Sequence, residues 1–92
     1  MAVAVLARFT GRVQGVGFRY TAVEIADGLS VTGYVKNEPD GSVELLAEGP
    51  AEAVDQLLEG IRESRLGPLI RHLHTEPLSP TGRYSSFSIS NF

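Results

Sequence analysis

The sequence contains no cysteine, no tryptophan and no long apolar run. The absence of cysteine excludes disulfides, thiolate nucleophiles and cysteine-ligated zinc sites. No apolar stretch approaches the roughly 20 residues that a membrane-spanning helix needs. The N-terminus also lacks the basic region that precedes the apolar part of a secretory signal. From these absences we expect a cytoplasmic protein that does not bind membranes.

Positive charge is also scarce. The chain has 8 Lys and Arg against 11 Asp and Glu, a net charge of −3 and a pI of about 5.2. This balance argues against a general nucleic-acid binder, which needs a positive surface to neutralise phosphates. Arg12, Arg19 and Lys36 fall in or beside segments that we predict to be functional. The other arginines, Arg65 among them, are expected at the surface, solvated or paired.

Length and hydrophobic periodicity predict one small domain that covers residues 1–92, and we expect it to be a monomer. Strands are predicted over residues 1–9, 31–35, 42–47, 69–76 and 87–89, and helices over residues 20–29 and after Pro50. This order predicts an α+β sandwich of the ferredoxin-like, split β-α-β kind, with two helices on one face of an antiparallel sheet. In the fourth strand, the alternation predicts one face made of Leu69, Arg71, Leu73 and Thr75.

A glycine-rich segment, Gly11 to Arg19, lies between the first strand and the first helix. Such a turn lets successive backbone N–H groups point into one concavity, where the helix dipole adds positive charge. Arg19, at the helix start, supplies a planar charged fork that suits phosphate oxygens. We therefore predict that this segment binds a phosphate-like group. The alternative, a turn whose glycines only relieve strain, has about equal support from these residues alone.

The segment matches neither common nucleotide-binding motif. A P-loop needs Lys-Ser or Lys-Thr after its last glycine, but here Gly17 is followed by Phe18 and Arg19. The dinucleotide-binding fingerprint needs a third glycine where this chain has Tyr20.

Few other residues suggest chemistry. Asn37 precedes a turn-forming Pro39-Asp40-Gly41 segment, so it is either a turn former or an amide that orients water. His72 and His74 could share one face of a strand, but no third metal ligand lies near them in sequence, and we favour surface or partly buried histidines. No pair of carboxylates suggests acid–base catalysis, and the serines near the C-terminus have no assigned base. The sequence thus offers an anion site and an amide, without a nucleophile, a general base or a metal site.

Two long motifs, taken together, make the chain resemble the acylphosphatase family. The first, G-x-V-Q-G-V-x-F-R, is met from Gly11 to Arg19, and the second, G-[aromatic]-V-x-N-x-x-D-G, is met from Gly33 to Gly41. Tyr34 stands at the aromatic position, where many members have Trp. These enzymes hydrolyse the carboxylic–phosphoric anhydride of small acyl phosphates, without a metal, a cofactor or a covalent intermediate.

The resemblance implies specific roles. Arg19 would bind the phosphate, and Asn37 would position the attacking water. The backbone N–H groups expected to share the phosphate belong to Gln14, Gly15, Val16, Gly17 and Phe18. Because an acyl phosphate already has a good leaving group, positioning and charge stabilisation can suffice.

Three alternatives remain open from the sequence. The first is an anion-binding or regulatory module without catalysis. The second is an RNA-binding domain, which shares this order of elements; the third strand, 42–47, lacks the stacking aromatic residues that such a domain needs. The third is an excised domain of a larger maturation enzyme that uses carbamoyl phosphate, although Met1 and the complete set of elements favour a free-standing protein.

Overall fold

The computed structural model describes residues 1–91, so that Phe92, the last residue of the predicted domain, lies outside the described residues. Its elements are β1 (Ala2–Gly11), α1 (Phe18–Asp27), β2 (Thr32–Asn37), β3 (Val43–Pro50), α2 (Ala51–Glu63), a 3-10 turn (Gly67–Leu69), β4 (Ile70–Leu78) and β5 (Phe87–Ile89). The strands form one sheet in the order β4-β1-β3-β2-β5. Neighbouring strands are antiparallel except β2 and β5, which are parallel. The predicted α+β, ferredoxin-like fold is confirmed. Within this described part, no helix has the length and apolar character needed to cross a membrane.

The core lies between the helices and one face of the sheet, because apolar residues alternate along the central strands. On β3, Val43, Leu45 and Ala47 are completely buried, as their predicted common face requires. The largest fully buried side chains of the core are Phe9, Leu45, Leu57, Ile61 and Leu66. Each large apolar side chain buried in this way contributes about 1.5–3 kcal/mol.

Two phenylalanines connect the core to the segment between β1 and α1. Phe18, the first residue of α1, is 2% exposed, and its ring packs against that of Phe9 with centroids 4.8 Å apart and planes inclined by 59°. This tilted arrangement is one that aromatic pairs prefer. The start of α1 is therefore fixed by burial in the core.

The predicted face of the fourth strand is wrong, and a β-bulge is the reason. Thr10 pairs with His72 but Gly11 pairs with Ile70, so Arg71 has no partner on β1. The extra residue interrupts the alternation: Leu69, Ile70 and Leu73 all pack against the core, whereas Arg71 is exposed. Gly11 permits this close approach, since a Cβ atom there would collide with the Leu69 carbonyl oxygen.

A buried carboxylate holds the connection between β4 and β5 on the sheet. Glu48 of β3 is 4% exposed and accepts hydrogen bonds from the Thr81 hydroxyl at 2.9 Å and the Gly82 N–H at 3.0 Å. The Thr81 N–H donates to both carboxylate oxygens at 3.1 Å. Burial acts to raise the pKa of Glu48, but these donors, together with the charge of Arg83, lower it below its usual value.

We expect Glu48→Gln to destabilise the fold by about 1–3 kcal/mol at neutral pH, because the neutral amide offers one acceptor oxygen and no charge to donors that now share two carboxylate oxygens. The pKa of Glu48 is lower in the folded chain than in the unfolded chain. Its contribution is therefore present above the unfolded-state pKa and is lost as the pH falls through the folded-state value. Urea unfolding from neutral to acid pH measures this: the difference between wild type and variant should shrink as the pH falls. Glu76→Gln, at an exposed position on β4, is the matched control. Equal stability of the wild type and Glu48→Gln at neutral pH would contradict the role of Glu48.

Candidate functional site

The segment between β1 and α1 has buried ends and an exposed middle. Val13 and Phe18 are buried, whereas Gly15 and Gly17 are exposed and have left-handed φ values of 75° and 80°. Apart from Gly15 itself and its two chain neighbours, no described residue has an atom within 4 Å of where a Gly15 Cβ would be. Two left-handed residues so close together curve the backbone, which is the geometry of backbone concavities that can bind anions.

The N–H groups from Gln14 to Phe18 have no backbone acceptor in the described part of the chain. Helix α1 has no side-chain cap and no acidic residue in its first turn, and the Thr21 N–H donates to the Gly17 carbonyl at 3.0 Å. The helix start therefore presents free donors and the positive end of its dipole, and this arrangement favours a bound anion.

Arg19 is the second residue of α1, directly after this segment, and is half-buried. In the described part of the chain, none of the ion pairs involves Arg19. A guanidinium that no carboxylate neutralises, beside free N–H donors, suits the binding of a phosphate group.

Asn37 is the last residue of β2, is half-buried and pairs with Val43. Strand alternation places it on the helix side of the sheet with Val35. The turn that follows is stabilised locally: Asp40 accepts from the Ser42 hydroxyl at 2.6 Å and from the Ser42 N–H at 2.9 Å. These hydrogen bonds lower the pKa of Asp40. Asp40 and its neighbours are thus turn residues, as predicted, and Asn37 is held at a rigid strand end.

Gln14 joins the glycine-rich segment to this turn. Its Nε2 donates to the carbonyls of Glu38 and Ser42, both at 2.8 Å. The two motifs, which are separate in sequence, therefore meet in space. Sequence analysis assigned Gln14 only a backbone N–H role, because nothing local in the sequence shows that its side chain satisfies two carbonyls on the other motif.

A polar network supports the turn from the opposite face of the sheet. Arg8 donates to the Ser42 hydroxyl at 3.0 Å and to Glu44 at 3.1 Å, and the Tyr34 hydroxyl donates to Glu44 at 2.7 Å. Lys36 lies 3.8 Å from the same carboxylate. Burial, followed by the Glu44 contact, raises the pKa of Tyr34. Lys36 is therefore paired with carboxylates, so we do not assign it to anion binding.

The two histidines lie elsewhere. His72 and His74 are exposed on β4, opposite Thr10 and Arg8. His72 lines an open cleft of about 940 Å³ between α2 and β4, which includes none of the predicted site residues. Among the residues that the structure describes, no group of three His, Asp or Glu could hold a metal ion. We place the candidate site by its free N–H donors and not by the size of a cleft, because a shallow concavity is enough to bind a phosphate.

Arg65 contacts the glycine-rich segment although it lies outside both motifs. Its Nη2 donates to the Val16 carbonyl at 2.9 Å. Sequence analysis placed Arg65 at the surface, solvated or paired. It is indeed exposed, but its partner is a backbone carbonyl 49 residues away in sequence, which no local pattern reveals.

Comparisons with known proteins identify relatives of this chain. The family model described as Acylphosphatase matches residues 5–89. A protein named acylphosphatase from Yersinia pseudotuberculosis (serotype O:1b, strain IP 31758) is 48% identical over 86 residues, which cover 92% of each chain. The crystal structure of acylphosphatase from Bacillus subtilis matches with a TM-score of 0.87 and 34% identity over 98% of this chain and 99% of that one. The crystal structure of T. kodakarensis HypF matches with a TM-score of 0.81 and 30% identity over 96% of this chain but 12% of HypF.

We expect Gln14→Leu to weaken both the fold and anion binding. The substitution leaves the carbonyls of Glu38 and Ser42 without this donor, which costs about 1–3 kcal/mol, and frees the glycine-rich segment from the turn. Urea unfolding measures the first effect, and a titration with inorganic phosphate followed by NMR measures the second. Gln56→Leu, at an exposed position of α2, is the matched control. If Gln14→Leu behaved like this control in both measurements, the contact would be incidental.

Proposed function

The chain belongs to the acylphosphatase family, and from that premise we propose how its residues carry out the hydrolysis of acyl phosphates. Its activity is that of a hydrolase that cleaves the carboxylic–phosphoric anhydride bond of small acyl phosphates to a carboxylate and inorganic phosphate. The observation that supports our assignment of the site is the uncapped start of α1, where the N–H groups from Gln14 to Phe18 have no backbone acceptor within the described residues.

We assign phosphate binding to the glycine-rich segment. The oxygens of the phosphoryl group accept hydrogen bonds from the N–H groups of Gln14, Gly15, Val16, Gly17 and Phe18. Arg19 adds a bidentate contact and a full positive charge. In the transition state the charge is spread over the phosphoryl oxygens, so donors that are already in place stabilise it without reorganisation.

Asn37 positions the water. Its side-chain amide accepts a hydrogen bond from the water and holds it in line with the bond that breaks. The water oxygen forms a bond to phosphorus, the bond from phosphorus to the acyl oxygen breaks, and its electron pair leaves on the carboxylate. One proton of the attacking water stays on the oxygen that joins phosphorus, and the other passes to another phosphate oxygen or to solvent. A carboxylate is a good leaving group, so this mechanism needs no general acid and uses only the donors of the chain itself.

The other expectations remain proposals of the same kind. We propose that the enzyme acts in the cytoplasm as a monomer, that residues 1–92 form one domain, and that it binds no nucleic acid. The net charge of −3 supports the last of these.

We expect Arg19→Ala to lower kcat/KM for benzoyl phosphate by at least about 10²–10³-fold, which is typical for the loss of one transition-state donor. Arg19→Lys should also be poor, because an ammonium cannot reproduce the bidentate fork. Hydrolysis is measured in excess chelator, which also tests whether the reaction needs a metal. Arg71→Ala, at an exposed position of β4, removes the same charge as a control. Wild-type activity in a folded Arg19→Ala variant would contradict the assignment, and phosphate binding without turnover by the wild type would favour a non-catalytic anion-binding module.

We expect Asn37→Ala to lower kcat more than it raises KM, because Asn37 acts on the water and not on the bound phosphate. Steady-state hydrolysis of benzoyl phosphate separates the two constants. Asn91→Ala, which alters an exposed asparagine near the C-terminus, is the control. An unchanged kcat in Asn37→Ala would remove this residue from the mechanism.

A further inference from the structure

Arg65 follows α2 and lies against the outer side of the segment to which we assign phosphate binding. Its Nη2 atom is 2.9 Å from the Val16 carbonyl oxygen and 3.5 Å from Oγ1 of Thr21, one turn into α1. The guanidinium nitrogen carries two hydrogens, so one nitrogen can serve both acceptors. Arg65 thus connects the middle of the segment to the helix that follows it.

The contact with Val16 determines the direction of the next N–H group. In a trans peptide the carbonyl oxygen of one residue and the N–H of the next point in opposite directions. Because Arg65 holds the Val16 carbonyl, the Gly17 N–H points to the opposite side of this peptide, away from the guanidinium. A rotation of this peptide would instead place a carbonyl oxygen toward the anion.

Gly17 leaves room for the guanidinium of Arg65. Its φ of 80° is left-handed, and a Cβ atom at this position would lie 2.8 Å from Nη2 of Arg65. The glycine therefore allows both the turn of the backbone and the close approach of the arginine.

The charge of Arg65 is also available to the site. In the described part of the chain, none of the ion pairs includes this residue, and the first turn of α1 holds no acidic side chain. A cation beside the helix start adds to the positive potential that attracts a phosphate dianion, and Arg65 is the second arginine there, after Arg19.

From this geometry we propose that Arg65 is a positioning residue for phosphate binding: it fixes the Val16–Gly17 peptide so that the Gly17 N–H donates into the concavity. This inference rests on the proposed function of the segment. Arg65 acts through the backbone of Val16 and Gly17 and does not touch the reacting atoms.

The test compares Arg65→Met, Arg65→Lys and the control Arg62→Met. Arg62 lies in the last turn of α2 and has no hydrogen bond to the glycine-rich segment within the described residues, so its substitution removes the same charge nearby. Each variant is assayed for benzoyl phosphate hydrolysis and for inhibition by inorganic phosphate, and the Gly17 amide signal is followed by NMR during a phosphate titration.

Arg65→Met should raise KM and the phosphate inhibition constant by about 3- to 10-fold, the range expected for one exposed, charge-assisted hydrogen bond. The kcat value should change less, since the water and its amide are untouched. Arg65→Lys, which keeps the charge and a donor, should recover part of the affinity. In Arg65→Met the Gly17 amide should need correspondingly more phosphate to shift, while Arg62→Met should match the wild type.

Two results would overturn the inference. One is an Arg65→Met variant whose phosphate affinity, KM and Gly17 titration all equal those of Arg62→Met. The other is an Arg65→Met variant that loses activity only because its Tm is lower, while the KM and phosphate affinity of the folded protein are unchanged. If the wild type is active and Arg19→Ala is inactive, either result overturns only the role of Arg65 and leaves the proposed phosphate site in place. A wild type that does not bind phosphate would overturn both this inference and the proposed site.

Discussion

The contact between Phe18 and Phe9 is the constraint on which the candidate site depends. A segment whose N–H groups must stay unpaired cannot be held in shape by backbone hydrogen bonds, so something else must fix it. Burial of Phe18 at one end and Val13 at the other does this, and each such side chain contributes about 1.5–3 kcal/mol. Solvent or an anion satisfies the N–H groups between them at little cost, because Gly15 and Gly17 are exposed. Apolar burial at both ends thus outweighs the missing backbone hydrogen bonds.

Hydrogen bonds to carbonyl groups then refine the shape that burial fixes. Gln14 donates inward to the turn after Asn37, whereas Arg65 donates to an outward-facing carbonyl. Both bonds occupy carbonyl oxygens of the two motifs, whereas the N–H groups from Gln14 to Phe18 keep no backbone acceptor within the described residues. On the far face of the sheet, Arg8 and Glu44 brace the same turn. The geometry of a site made mostly of backbone groups is therefore controlled by side chains that do not themselves meet the substrate.

Sequence analysis could predict the elements and the two motifs because their signals are local. Hydrophobic periodicity and turn-forming residues predicted each strand and helix near its observed position. The resemblance of the two motifs indicated the candidate site. Three features depend on contacts that are distant in sequence and were missed. The bulge at Arg71 interrupts the alternation of a strand, because Gly11 lets the backbones approach. Glu48 is buried only because Thr81 and Gly82 fold back onto it, and Arg65 meets its acceptor across 49 residues of chain.

In the proposed mechanism, the residues at the site are not the residues whose charge changes with pH. An asparagine amide does not titrate, and an arginine guanidinium keeps its charge throughout the range in which proteins fold. The carboxylates whose pKa values are lowered, Asp40 and Glu48, hold a turn and a connection in place and do not meet the substrate. With roles divided in this way, acid acts on the enzyme by protonating these carboxylates, which destabilises the turn and the connection that they hold. Our assignment includes no catalytic base, so on this proposal a loss of activity at low pH comes from the loss of structure or from protonation of the substrate phosphate.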